Sequence, residues 1–189
     1  MNISKFDYQL DNSFIATEPA NPRDSSKLLI LDRQTGDISH KIFHDLADIL
    51  TANDILVFNE TKVIPARIIG NKPTGGSAEV LLLKNLKNNI WECLTKNLNT
   101  SRKIIFSKKI FAEVIKSDQK IKTIKFNVPS DELNKFLEAN GQMPIPPYID
   151  YKGSLDLKTI YNTVYARESG SVAAPTAGLH FTPEVVAAV

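Results

Sequence analysis

Residues 165–184, YARESGSVAAPTAGLHFTPE, gather the side chains most able to do chemistry and few that an ordinary core element would use. Gly170 and Gly178 permit unusual backbone angles, Pro175 fixes φ, and Ser169, Ser171 and Thr176 offer hydroxyls. The titratable members are Arg167, Glu168 and His180. His180 is the first candidate for proton transfer, because imidazole titrates nearest working pH and the residue precedes a helix N-terminus. A packed, hydrogen-bonded structural histidine is the competing reading. Glu168 is an alternative base or cation partner, or else an ion-pair partner of Arg167. Ala173, Ala174, Ala177 and Gly178 would let a flat ring approach the backbone closely; tight turn packing explains them equally well. The stretch ends in Thr182-Pro183-Glu184, which reads as a helix start with Thr as N-cap, Pro in the first position and an acid in the first turn.

Two other polar clusters could contribute. Arg23-Asp24-Ser25-Ser26 can bind a carboxylate or a ribose, or simply form a polar turn capped by Asp24. Asp24 is thus another alternative base, or an ion-pair partner of Arg23. Asn59-Glu60-Thr61-Lys62 interrupts an apolar run, and the ends of buried strands are where open α/β sheets place ligand contacts; a strand-to-strand turn is the plainer alternative. His40 reads as a half-buried strand residue and His44 as a helix-start or loop residue, neither with a partner at metal-ligand spacing. No dinucleotide glycine motif, phosphate loop, H-E-x-x-H, paired-cysteine motif or G-x-S-x-G elbow occurs, which disfavours oxidoreductases, P-loop NTPases, zinc hydrolases and serine hydrolases.

The elements that must position these groups fall into an interrupted order. Prolines at 19 and 22 mark extended or turning chain. Residues 27–32 and 37–43 read as a strand pair around the turn Arg33-Gln34-Thr35-Gly36, with Ile38, His40 and Ile42 on one face. Residues 43–50 have helical spacing, and 54–59 form a nearly continuous apolar strand, expected to be covered on both faces. From 67 to 128 the pattern becomes short strands at 80–83, 90–95, 104–106, 111–116 and 121–126, with turns at Thr74-Gly75-Gly76, Lys87-Asn88-Asn89 and Ser117-Asp118. Strands without intervening helices predict a small antiparallel barrel or sandwich inserted in an α/β body. Residues 130–140 predict a helix stopped by Gly141, 142–149 a stiff connector with three prolines, and 156–162 a short helix. The expected division is a discontinuous body, 1–65 and 148–189, around an inserted basic barrel domain, 66–147.

Composition is that of an ordinary globular chain: 189 residues, 42% apolar and 23% charged. No apolar run approaches bilayer length and no signal core follows Met1, so a cytoplasmic location is expected. Cys93, the single cysteine, excludes an internal disulfide and reads as a buried strand thiol. The net charge of +2 conceals an imbalance, since residues 66–128 carry thirteen Lys or Arg against four acids, a net of +9, leaving −7 elsewhere. Such a block faces a polyanion such as RNA, or else is a solvated lysine-rich surface guarding sheet edges.

The loop at 165–184, read together with Arg23-Asp24-Ser25-Ser26, Val63-Ile64-Pro65-Ala66-Arg67 and the segment QMPIPPYI at 142–149, closely resembles the S-adenosylmethionine:tRNA ribosyltransferase-isomerases of queuosine biosynthesis. The motifs run through the whole chain in the family's order. The resemblance implies transfer and isomerisation of the ribosyl part of S-adenosylmethionine onto 7-aminomethyl-7-deazaguanine at the wobble position of tRNA. Epoxyqueuosine, adenine and methionine would be the products. The implied route starts with proton removal beside the sulfonium, so the site must supply a base, tolerate a cation and position two large substrates. No cofactor or metal is implied; S-adenosylmethionine is a co-substrate, and a monomer is expected. The candidate catalytic residues are His180, Glu168 and Asp24. Candidate substrate-binding residues are Arg23, Ser26, Asn59, Thr61, Arg67, Tyr165, Arg167, Ser171, Ala174, Thr176, Ala177, Gly178 and Phe181.

Departures from the family pattern occur at Glu60, where Asp is usual, at Asn162, where Gln is usual, and at 96–102, where a Pro- and Gly-bearing turn is expected. Residues 185–189 form an apolar helix start with no stop signal, from which the chain is expected to be roughly the first half of a longer enzyme. The alternative function is a non-catalytic RNA-binding β-domain protein. Against it, Trp91, Phe106, Phe111 and Phe126 occupy strand positions that read as core, leaving no aromatic platform for bases.

Overall fold

Residues 67–126 alternate inward apolar and outward polar side chains, and in the computed structural model they close into a barrel. The structure describes residues 2–98, 101–118, 120–146, 148–149, 151 and 156–189. Asn99 and Thr100 of the 96–102 departure, and Pro147 of the connector, lie outside the described residues.

The chain opens with two short 3-10 turns, then a third at Arg23–Ser25. Strands β1 (Lys27–Leu31) and β2 (Ile38–Ile42) pair antiparallel about the predicted turn, whose Gly36 N–H donates to Asp32 O at 2.9 Å. A 3-10 turn at Phe43–Asp45 leads into α1 (Leu46–Ile49), as the spacing predicts. His40 is exposed rather than half-buried, because no second layer covers that face of the hairpin among the described residues.

The expected two-sided strand at 54–59 is not formed. The run is extended but joins no ladder, with Ile55 89% and Val57 91% exposed. Its alternate residues Leu56 and Phe58 are partly sheltered, and Phe58 makes edge contacts with Tyr165 and Phe181, ring centroids 4.8 and 5.1 Å away. The apolar pattern states that a strand is suited to burial; a ladder additionally needs neighbouring strands with free backbone groups.

Strand β3 (Thr61–Val63) leads into the barrel strands β4 (Arg67–Asn71), β5 (Ser77–Asn85), β6 (Ile90–Lys96), β7 (Lys103–Ile105), β8 (Phe111–Asp118) and β9 (Ile121–Phe126). They close in the order β4-β5-β6-β9-β8-β7, every pair antiparallel. The inward residues Ile68, Val80, Leu82, Cys93, Ile104, Ala112, Ile124 and Phe126 are 2% exposed or less. Strand β4 is not among the sequence-predicted strands, its pattern being broken by Gly70 between Pro65 and Pro73.

Helix α2 (Ser130–Asn140) plugs the barrel with Leu133 and Leu137, which join the same core. Gly141 ends it as predicted, but with φ −76 rather than a left-handed angle. The glycine is needed for close approach. A Cβ there would collide with Pro65 O, lie 2.6 Å from Leu137 O and 3.0 Å from Pro65 C. Residues 65–67 and 141–142 therefore form a tight neck, closed by Arg67 N–H donating to Gln142 O (3.1 Å) and Gln142 N–H donating to Arg67 O (2.8 Å).

After α3 (Leu157–Ile160), strand β10 (Glu168–Ser171) pairs in parallel with β3, so the barrel is threaded between two strands of one small sheet. The sequence reads 168–171 as loop; its Ser and Gly content hides a strand whose partner lies about a hundred residues away. Helix α4 (Pro183–Ala188) starts as predicted, Val185 N–H donating to the Thr182 hydroxyl at 3.3 Å. Two small cores serve this part: Phe43, Phe181 and Val185, and Val63, Met143 and Tyr161. Mixed helices and strands around a closed six-stranded antiparallel barrel match the predicted class. No helix among the described residues is long and apolar enough to cross a membrane.

Candidate functional site

Leu157, Ile160 and Tyr161 recur at helical spacing, and that apolar face of α3 forms one wall of a cavity of about 270 Å³. The extended arm 16–20, Ile145 and Ile149 of the connector, and Thr176, Leu179 and His180 complete it. The arm and connector can wall a cavity because proline keeps them extended and unable to fold back into sheet or helix. Glu18 is the carboxylate in the lining and Arg23 a cation in it. Burial raises the Tyr161 hydroxyl above the usual phenol range, with the neighbouring Tyr148 adding to the effect.

His180 ends a 3-10 turn at Thr176–His180, and its ring lies 5.2 Å from that of Phe43. Its Nδ1 is 2.8 Å from the Ser26 hydroxyl. In one tautomer Nδ1–H donates to Ser26 and leaves the other ring nitrogen as a base; in the other, Ser26 donates and that nitrogen carries the proton. The imidazole is therefore hydrogen-bonded and packed, and it also lines the cavity.

Arg23 lines the cavity too, but its fork is occupied. Nη1 donates to Asn162 O at 2.7 Å and Nη2 to Thr159 O at 2.8 Å, at the C-terminal end of α3 where carbonyls lack helical partners. Burial lowers the Arg23 pKa. Asp24 accepts from the Thr182 hydroxyl at 3.1 Å and so ties the same turn to the start of α4. Ser26, Arg23 and Asp24 thus bind three places in the last third of the chain.

The remaining sequence candidates are placed elsewhere. Glu60 and Arg167 form an exposed ion pair, Nε to Oε2 at 3.0 Å, and the Glu60 carbonyl accepts from Arg167 N–H and Glu168 N–H. Asn59 accepts from the backbone and hydroxyl of Thr61, making an Asx turn before β3. Ser171 donates to Ala173 O at 2.8 Å, Ala174 packs on the Val63 core, and Phe181 is core. Burial raises the Tyr165 hydroxyl, which lies over Gly178. Arg67 belongs to the barrel, its Nε 3.5 Å from Glu79. The structure thus gathers Arg23, Thr176 and His180 at the cavity with Ser26 behind the imidazole, and leaves Glu168, Arg167, Asn59, Thr61, Arg67 and Ser171 outside its lining.

Sequence reasoning missed Glu18, Ile145, Leu157, Tyr161 and Leu179 as lining residues and Asn162 as a hub. The buried Asn162 amide accepts from Val63 N–H (2.7 Å) and donates to Lys158 O (2.9 Å), while its backbone carbonyl takes Arg23. The apolar i, i+3, i+4 spacing of 157, 160 and 161 was a usable signal; nothing local marked Asn162.

A mixed α/β body threaded by an antiparallel barrel thus carries an apolar cavity whose wall holds a tethered imidazole, a candidate proton-transfer group. Residues 3–189 match the model of the queuosine biosynthesis protein family, and the chain belongs to that family. It is 45% identical over 190 aligned positions to the S-adenosylmethionine:tRNA ribosyltransferase-isomerase of Sulfurihydrogenibium sp., covering 98% of this chain and 56% of that protein. To the enzyme of the same name from Thermosipho melanesiensis it is 43% identical, covering 98% and 55%. The chain therefore spans about half the length of the curated relatives it matches. A solved structure of an S-adenosylmethionine tRNA ribosyltransferase from Thermotoga maritima is 30% identical over 97% of this chain and 52% of that one, with a TM-score of 0.40.

Proposed function

We propose that this chain serves in transferring and isomerising the ribosyl part of S-adenosylmethionine onto 7-aminomethyl-7-deazaguanine at the wobble position of tRNA, giving epoxyqueuosine, adenine and methionine. The observation that carries the reading is His180, held by Ser26 in the wall of an apolar cavity whose lining also holds Glu18. Apolar walls and Tyr161 suit a flat purine, and one carboxylate suits a sulfonium. The imidazole takes the proton beside sulfur, with Ser26 fixing the ring so that one nitrogen faces the work. Arg23 is a positioning residue, since both terminal nitrogens already hold the α3 carbonyls. Residues 66–147 act as an inserted domain that engages the tRNA through its positive charge, while the body, 1–65 and 148–189, holds S-adenosylmethionine. The enzyme works as a cytoplasmic monomer.

Adenine release from S-adenosylmethionine, followed with and without tRNA carrying 7-aminomethyl-7-deazaguanine, tests the reaction, and equilibrium binding of S-adenosylmethionine tests the cavity. Release only with the modified tRNA, and its loss in His180→Asn with binding retained, is expected. Undiminished release by His180→Asn removes the imidazole from the mechanism. Binding of tRNA without any binding of S-adenosylmethionine leaves the RNA-binding reading in its place.

A further inference from the structure

The cations of the barrel are unevenly compensated. Lys103 and Lys125 flank Glu113 in the strand register, Lys103 also sits 3.6 Å over the Phe111 ring, and Arg67 approaches Glu79. Arg102, Lys116 and Lys122 are different. They line one open cleft of about 250 Å³ with the hydroxyl-bearing Ser101 and Ser117, and no acid lines it. None of the three cations forms an ion pair among the described residues. Glu92 and Asp118 line the adjoining cleft beyond Lys116 without pairing with it.

The backbone builds this convergence. Val114 N–H donates to Arg102 O at 2.8 Å, which carries the β7–β8 ladder one residue past Lys103 and sets Arg102 against β8. A bulge between Val114 and Lys116 then leaves both Ile115 and Lys116 exposed instead of alternating. Bulges re-aim side chains in this way. Ser117 pairs with Lys122 across the hairpin, and the Lys122 ammonium donates to the Ser117 hydroxyl at 3.0 Å. Three like charges held together without counter-ions repel one another, a cost that a bound anion removes.

Resting on the proposed function, we propose that this cleft binds a phosphodiester of the RNA backbone and fixes where the substrate crosses the barrel. The volume equals roughly eight water molecules at about 30 Å³ each, room for a phosphate and its hydration. The Ser117 hydroxyl accepts from Lys122 and keeps its own proton as a neutral donor beside the cations, whereas the Ser101 hydroxyl already donates to Lys103 O. No aromatic side chain lines the cleft, so it grips backbone rather than stacked bases.

Anisotropy of fluorescently labelled, unmodified tRNA, titrated with the 189-residue chain over a range of salt, is the test. Replacing all three cations (R102Q, K116Q, K122Q) should weaken binding at low salt by about ten-fold or more and reduce the slope of log affinity against log salt by about one to two. The paired replacement K5Q and K41Q, two exposed lysines outside the barrel domain, should change affinity by less than about three-fold and serves as the charge control. Circular dichroism spectra should show the same folded signature for all forms, because Arg102 and Lys116 are exposed and the half-buried Lys122 makes only the Ser117 side-chain bond. Unchanged affinity and slope in a folded triple variant overturn the cleft while leaving RNA binding intact. A parent chain with no salt-dependent tRNA binding overturns both the cleft and the RNA reading. Displacement of tRNA by inorganic phosphate at matched ionic strength assigns the cleft to a small anion and overturns the backbone proposal.

Discussion

Gly141→Ala should unhinge the neck of the barrel. The added Cβ would meet Pro65 O and Leu137 O, both backbone atoms, so no side chain can swing away. The two sides of the neck must part by about 1 Å or more to restore an ordinary carbon–oxygen contact. That movement breaks the reciprocal Arg67–Gln142 hydrogen bonds, 3.1 and 2.8 Å, each worth about 1 kcal/mol net. Overpacking strain adds about 1–3 kcal/mol, and lost freedom of the unfolded chain returns about 0.5–1 kcal/mol. The expected cost is therefore about 2–4 kcal/mol, a large share of the usual 5–15 kcal/mol or so of a domain. Trp91, the sole tryptophan, is 4% exposed and lies beside Ile64, Pro65 and Leu137, so its fluorescence reports on the neck. With a urea slope of about 1.5 kcal/mol/M the midpoint should fall by about 1.3–2.7 M. Gly75→Ala is the comparison: its φ is +88 and nothing lies within 4 Å, so it should cost only about 1 kcal/mol. A Gly141→Ala midpoint no lower than that of Gly75→Ala would refute the close-approach argument.

Four further outcomes are expected. Arg23→Ala removes two charge-assisted bonds and should cost about 2 kcal/mol, with Arg23→Lys recovering less than half because an ammonium cannot span both carbonyls; faster hydrogen exchange at 159–163 is the local readout. Cys93 is fully buried and its thiol is pushed up to about 12, so a thiol reagent should label it only on unfolding. The same shift means that the unfolded chain loses this proton first: the Cys93 contribution is intact below about pH 9 and falls towards pH 12 by up to about 1.4 kcal/mol per unit, a slope that Cys93→Ala should remove from urea titrations. Arg167→Ala should change stability by less than about 1 kcal/mol, since its pair with Glu60 is exposed; a larger loss in a thermal melt would show that the pair braces β3 and β10.

Where burial and turn chemistry act locally, the sequence predicted structure well. The barrel strands from 77 to 126, the turn at 87–89 with three positive φ angles, α2 and the Thr182-capped start of α4 all follow from alternation, Asn content and capping residues. Where the cause lies far along the chain, the pattern was silent or misleading. Strand β10 has no apolar alternation because its partner β3 supplies the ladder, and 54–59 has a nearly continuous apolar run yet no partner. The cavity was half legible: His180, Arg23 and Thr176 stood out as chemical residues, whereas Leu157 and Tyr161 were read only as part of a short helix and Glu18 lay in chain read as extended or turning.

The turn at Arg23–Ser25 with Ser26 puts three chemically capable residues to work as structural ties. Within four residues it binds the end of α3 through Arg23, the start of α4 through Asp24 and the imidazole through Ser26. Each bond spans well over a hundred residues, so this short turn fixes the distance between two cavity walls. A charged residue used in that way loses function when replaced, whatever it also does towards a ligand, because the walls move. Arg23→Ala and Asp24→Ala should therefore weaken S-adenosylmethionine binding and stability together. Ser26→Ala leaves the backbone ties in place and frees only the ring. Its signature should be an altered pH profile of adenine release with binding preserved, and a parallel loss of binding would place Ser26 with the structural ties instead.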